Sequence, residues 1–211
     1  MIQYLTRFAV LLAVLLSAGC SIPTPSHQDS SRQVNVELVK AHQNKLNTLN
    51  SWSMSGRMAL IQKELDKRDS FYVNWQYQPT YQELRFSHPL KGQLARLTVS
   101  NQQATLVDSN GAMRSALSAP ALLADVLPVY IPFEHLHQWV VGQKTSQLKK
   151  LTYYNDGTLA SASVIQNDEQ WRIRWFYKLE AKTKFPLPEQ VHIESPTLKI
   201  KVQMNEWQTS N

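Results

Sequence analysis

From Trp52 to Leu60 the chain alternates in character. Trp52, Met54, Met58 and Leu60 are large and apolar, and Ser53, Ser55, Arg57 and Ala59 stand between them. A period of two puts successive side chains on opposite faces of a strand, so the pattern predicts a strand with one buried face. Phe71, Val73, Trp75 and Tyr77 repeat it against Tyr72, Asn74 and Gln76. Leu84 and Phe86, then Leu94 to Val99, then Ala104 to Val107 continue the series, with Asn110-Gly111 marking a tight turn. After an interruption the pattern returns in Lys150 to Tyr154, Leu159 to Ile165, Trp171 to Tyr177, Val191 to Glu194 and Leu198 to Met204.

Elsewhere the period lengthens. Between Val34 and Asn50, Leu38, His42, Leu46 and Leu49 recur at three-to-four spacing, which predicts a helix with one apolar stripe. Ala119 to Leu127 and Pro132 to Val141 read as two short helices, delimited by Pro128, Pro132 and Gly142. The sum is a mainly β (α+β) chain of about eleven strands with a leading helix and a central helical insertion. No strand–helix–strand alternation supports a parallel sheet. An antiparallel sheet of that size must curl or split, and curling around the helical insertion gives an open barrel.

Trp52, Met54, Met58, Phe71, Trp75, Tyr77, Phe86, Trp171, Trp175 and Tyr177 fall on the predicted inward faces. Side chains this large can fill a core, or they can line a dry cavity that adapts to a flexible apolar ligand. Periodicity alone leaves both uses open.

The amino terminus adds a compartment. Arg7 precedes the apolar run Phe8 to Leu16, too short to span a bilayer, and Ser17-Ala18-Gly19 leads into Cys20. This is the layout of an export signal over residues 1–19, and its Gly-Cys ending resembles a bacterial lipobox, with Ser17 where leucine is usual. Cys20 is the only cysteine. An exported chain with one cysteine forms no internal disulfide, and acylation of the thiol would remove a reactive group. Residues 20–33, rich in Pro, Ser and Gln, read as the acylated cysteine and a flexible tether. Residues 34–211 then form one domain. The 22 Lys+Arg against 16 Asp+Glu give +6, and +5 once the signal with its single Arg7 is removed. That charge suits anionic headgroups or an acidic protein partner; nucleic acid is not expected outside the cytoplasm. Arg172, Arg174, Lys199 and Lys201 alternate on an outward face and offer such a surface, or only a solvated one.

Catalytic patterns are absent. There is no Gly-x-Ser-x-Gly elbow, HExxH or Walker motif, and six glycines leave little for a phosphate-cradling loop. His135 and His137 lie two apart on a predicted helix and cannot share one ion. The carboxylates are scattered. No metal, cofactor or enzymatic activity is expected, with a lipid- or glycan-acting enzyme and a structural scaffold as the alternatives.

One turn is peculiar. In SHPLKG, Pro89 and Gly92 have turn chemistry and Lys91 is polar, yet Leu90 sits near the tip. This turn, with Gly56 in the first strand, FYVNWQ at Phe71 to Gln76, Leu106-Val107-Asp108 before Asn110-Gly111, Ile131-Pro132 leading to Leu136-x-Gln138-Trp139-Val140-x-Gly142, and the carboxyl-terminal Ile200 to Trp207, resembles the LolB family of outer-membrane lipoprotein receptors of Gram-negative bacteria, along the whole chain.

The resemblance implies an unclosed antiparallel β-barrel of about eleven strands, with helices as a lid over a hydrophobic cavity. It implies a monomer, lipid-anchored in the outer membrane and facing the periplasm, that takes lipoproteins from the carrier LolA. Its partners would be the LolA–lipoprotein complex, the acyl chains of client lipoproteins and outer-membrane phospholipid. Pro89-Leu90-Lys91-Gly92 would be the membrane-insertion loop, with Leu90 as its inserting side chain.

Overall fold

The computed structural model describes residues 22–25, 34–100, 103–126, 130–178 and 185–210. The domain opens with helix α1 (Val36–Asn47), followed by six strands: β1 (Ser51–Gln62), β2 (Lys67–Gln78), β3 (Tyr81–His88), β4 (Gly92–Ser100), β5 (Gln103–Asp108) and β6 (Met113–Ala116). Helices α2 (Ala119–Val126) and α3 (Phe133–Val140) come next. Five strands complete the chain: β7 (Lys149–Tyr153), β8 (Leu159–Gln166), β9 (Glu169–Phe176), β10 (Gln190–Glu194) and β11 (Leu198–Ser210).

All eleven strands belong to one sheet, in the order β6-β5-β4-β3-β2-β1-β11-β10-β9-β8-β7. Every neighbouring pair is antiparallel. The chain thus walks outward from β1 to β6, crosses through α2 and α3, and walks back from β7 to β11, which pairs with β1. β6 and β7 remain the two edges, so the barrel is unclosed, as the alternation and the resemblance anticipated.

β1 and β11 form the seam between the two halves. Their pairing runs from Ser51 opposite Ser210 to Gln62 opposite Leu198, so β11 continues six residues past Met204, where its alternation fades. β1 holds that extension in register. A bulge interrupts the seam between Ser55 and Gly56, and Gly56 lets the two backbones approach closely there.

α1 is capped by Asn35, whose side chain accepts from the amides of Glu37 and Leu38 at 3.1 and 3.2 Å. It buries His42 and Leu46, while Leu38 stays exposed. His42 Nε2 lies 3.0 Å from the Pro186 carbonyl, and Gln43 donates to the Gly142 carbonyl. α1 therefore lies across one end of the barrel.

On the convex side the basic stripe contains its own acid. Glu194 receives Lys63 at 2.7 Å, with Lys199 at 3.6 Å and Arg174 at 3.8 Å. His192 stands in register between Arg174 and Lys201 and is fully buried. Burial, with Lys201, Arg174 and Lys199 adding to it against Glu194, lowers its pKa from 6.5 to about 3. A base held neutral in the folded state and protonated in the unfolded one contributes fully above pH 6.5, and its contribution drains away as pH falls from 6.5 toward 3. His192→Gln should therefore flatten the stability-versus-pH curve across that window. Urea unfolding at stepped pH measures this, and an unchanged slope would show that His192 is not the titrating group.

Candidate functional site

The concave face of the sheet and the helices surround a cavity of about 370 Å³. β1 contributes Met58 and Leu60, β2 contributes Asp69, Phe71 and Trp75, and β3 contributes Leu84 and Phe86. Leu94, Ala95 and Leu97 come from β4, Leu106 from β5, Ile193 from β10, and Ile200 and Val202 from β11. From above come Leu123 of α2 and Phe133, Leu136 and Val140 of α3, with Ile131 just before it. Eighteen of these nineteen residues are apolar, and such walls offer water too few partners to hold it. Asp69 is the exception. Its half-exposed carboxylate lies 3.4 Å from the exposed Lys67 ammonium, so it marks where the cavity meets solvent.

Of the ten aromatic and methionine positions considered from the sequence, four line this space: Met58, Phe71, Trp75 and Phe86. Phe71 and Phe86 meet edge to face at 5.2 Å, and Trp75 lies over Phe133 of the lid at 6.4 Å. The other six do not touch the cavity. Trp52 is buried among Trp75, Tyr77 and Trp207, with ring centroids 5.1–5.5 Å away. Tyr77 stacks on His137 at 4.6 Å, and Met54 is buried on the same stretch of β1. On β9, Trp175 donates its indole N–H to the Trp139 carbonyl, and Trp171 lies 6.4 Å from Tyr130. Tyr177, just past β9, meets Tyr154 and His42.

The reason is one of shape. Large flat rings meeting the underside of α1 and α3 fill the far end and the β9 flank. The hollow lies where leucine, isoleucine, valine and alanine face one another. Size alone picked out the rings and passed over Leu60, Leu84, Ala95, Leu97, Leu106, Ile193, Ile200 and Val202. Strand parity carries several of them, since Leu60 shares the face of Met58, and Ile200 and Val202 pair directly with β1.

The Pro89-Leu90-Lys91-Gly92 turn joins β3 to β4 and rises from the cavity wall, just beyond Phe86 and before Leu94. His88 pairs with Gly92, whose φ of +69° suits glycine, and the Leu90 amide donates to His88 Nδ1 at 3.2 Å. Leu90 is 91% exposed. Cys20 lies outside the described residues, as do Pro128 and the export signal at residues 1–19.

His135 and His137 are kept apart. Burial, helped by His135, lowers His137 from 6.5 to about 4, while His135 lies near Gln138. Among the described residues no group of three His, Cys, Asp or Glu side chains is placed to hold a metal, and no helix is long and apolar enough to cross a membrane.

A half-open antiparallel barrel wrapped around an apolar hollow, with helices over its mouth, is the architecture of a container for apolar groups. Solved structures share this architecture: a LolA superfamily protein from Nitrosomonas europaea aligns over 85% of this chain and 94% of its own with a TM-score of 0.51 at 5% identity. An outer membrane lipoprotein-sorting protein domain from Vibrio parahaemolyticus aligns over 83% and 92%, with a TM-score of 0.50 at 7% identity. These likenesses concern the fold. The family comes from sequence: the model of the outer membrane lipoprotein LolB family matches residues 50–207, and the chain belongs to that family. The outer-membrane lipoprotein LolB of Shewanella frigidimarina is 28% identical over 205 residues, 96% of this chain and 93% of its own. That of Aeromonas salmonicida is 27% identical over 194 residues, 92% of each chain.

Proposed function

We propose that this protein is an outer-membrane lipoprotein receptor. It accepts lipoproteins from the periplasmic carrier LolA, shelters their acyl chains in the cavity, and inserts them into the inner leaflet of the outer membrane without nucleotide hydrolysis. Acylated Cys20 anchors it there. The observation that carries the reading is the nearly all-apolar cavity opening beside the turn that bears Leu90. Each buried CH₂ is worth about 0.8 kcal/mol, so acyl chains do not cross an aqueous compartment bare. A downhill transfer needs only that each station hold the chains better than the last.

The volume sets a further condition. About 370 Å³ is near the small end of ligand pockets, so a multiply acylated cargo requires α2 and α3 to swing away from the sheet. Their contacts with it are mostly apolar and non-directional, which suits a lid that reseats around different chains.

Filling the cavity tests the reading. Ala95 is half-buried and faces the hollow from β4, so Ala95→Trp should occupy it. Saturable binding of a fluorescent fatty acid should be lost, and cargo transfer from LolA with it, while the melting temperature stays close to wild type. Unchanged binding and transfer in a folded Ala95→Trp protein would show that the acyl chains go elsewhere.

A further inference from the structure

Leu90 is not the only leucine presented to solvent at that end of the barrel. Lys63 to Asp66 form the turn between β1 and β2, and Leu65 at its tip is 66% exposed. β2 and β3 are neighbours in the sheet, so the Leu65 and Leu90 turns rise from the same end of it, about 10 Å apart across the strands. β3 pairs with β2 only as far as Ser87 opposite Tyr72, so the β1–β2 hairpin that carries Leu65 reaches further out. Both rise from the cavity wall: Leu60 and Asp69 lead into the first, Phe86 and Leu94 into the second. Asp69, where the cavity meets solvent, stands at the base of the Leu65 turn.

The amino-terminal chain is held on the same flank. Lys201 on β11 donates to the Ile22 carbonyl and to Thr24 Oγ1, each at 3.1 Å, and Ile22 is 3% exposed. Cys20 is two positions before Ile22, a covalent reach of about 7 Å at most. Lys201 pairs with Ala59 on β1, six residues before Leu65 and about 20 Å from it along the strand. The described amino-terminal segment at Ile22 thus lies on the β11–β1 flank, on the strand pair that leads up to the Leu65 hairpin.

We propose that Leu65 is a second membrane-contact residue, and that the Leu65 and Leu90 turns together seat the mouth of the cavity on the bilayer. The proposal rests on the reading of the chain as a membrane-anchored receptor. The contact is apolar. Around Leu65, Lys63 is engaged by Glu194 and the Ser195 carbonyl, and Lys67 by Asp69, and over residues 63–69 three bases stand against three acids. No excess of positive charge directs the tip to anionic lipid. Two leucines at the headgroup–acyl boundary, about 5–10 Å deep, would instead hold the opening against neutral phospholipid, so that a released chain meets hydrocarbon and not water.

Because Cys20 is the only cysteine and is acylated in the mature protein, a second cysteine can be labelled alone. Leu65→Cys, Leu90→Cys and Leu117→Cys, each carrying an environment-sensitive fluorophore, would be reconstituted as the full acylated protein in phosphatidylethanolamine–phosphatidylcholine vesicles containing spin-labelled lipid. Leu117 is as exposed as Leu90 but follows β6 at the opposite end of the strands. Quenching is expected at positions 65 and 90 and not at 117. If position 90 is quenched while 65 behaves like 117, the second contact falls and the receptor reading stands. If neither 65 nor 90 is quenched, the membrane-insertion part of that reading falls too. Equal quenching at all three overturns the orientation.

Discussion

Gly56→Ala should cost about 3 kcal/mol or more, the upper part of the range for forcing extra atoms into a packed site. A Cβ built on Gly56 would overlap the Gln203 carbonyl oxygen, with the Gln203 carbonyl carbon at 3.0 Å and Met204 Cα at 3.2 Å. All three obstacles are backbone, so no side chain can rotate away. Gln203 itself pairs with Arg57 across the seam, and relief requires β11 to move off β1. That seam joins the two halves of the sheet, and the damage should be global, appearing as a lower urea midpoint with an unchanged slope. The small gain from restricting the unfolded chain, about 0.4–1 kcal/mol for such a change, opposes it without matching it. A loss below about 1 kcal/mol would mean that the bulge relaxes and that Gly56 is not required by the close approach.

The strands that were most legible in the sequence have one buried face and one wet face. β1, β2 and β9 carry this alternation in Trp52 to Leu60, Phe71 to Tyr77 and Trp171 to Phe176, and the structure has them with the expected parity. β6 and the end of β11 carry no such pattern. Met113–Ala116 is an edge strand exposed except at Ala116, which packs against the core, and Asn205–Ser210 is held in the sheet by hydrogen bonds to β1, which a hydropathy pattern does not register. The barrel itself followed from strand count and chain order, because eleven antiparallel strands must bend and the helical insertion provides something to bend around.

The cavity was legible only in part. Parity tells which side chains point inward, not whether they meet. Met58 and Trp52 lie on one face of one strand, yet Met58 looks into the hollow and Trp52 is pinned between three aromatic rings. The difference comes from what stands opposite: Tyr77 and Trp207 in one case, aliphatic side chains in the other. Such partners are set by register across non-adjacent strands and by where the helices land, and neither is written locally. Turn chemistry, by contrast, is local. Pro89 and Gly92 announced the Leu90 turn, while the Leu65 turn escaped notice because Lys63-Glu64-Leu65-Asp66 has no glycine or proline and Asp66 itself adopts a positive φ of 46°.

Leu90→Glu should receive cargo normally and fail to deliver it. The side chain is 91% exposed and forms no part of the core, so even the Leu90→Ala change should shift stability by no more than about 0.5 kcal/mol. Its contribution appears only on contact with lipid, where burying a leucine is worth about 1.5–3 kcal/mol. At about 1.4 kcal/mol per factor of ten, its loss in Leu90→Ala should slow membrane delivery roughly tenfold to a hundredfold. A carboxylate in its place adds repulsion from anionic headgroups and a cost of entering the interface, and delivery should be nearly abolished. The cavity lies below the turn and is untouched, so fatty-acid binding and transfer from LolA should remain as in wild type. A two-stage assay separates the steps, scoring arrival of radiolabelled lipoprotein on the receptor and its later appearance in liposomes. A block at the first stage would place Leu90 in the contact with the carrier. Normal delivery by both variants would leave the leucine without a membrane role. A defect at the second stage alone is the one expected of a lipid-facing side chain, because contact with the carrier acts before the cargo is bound.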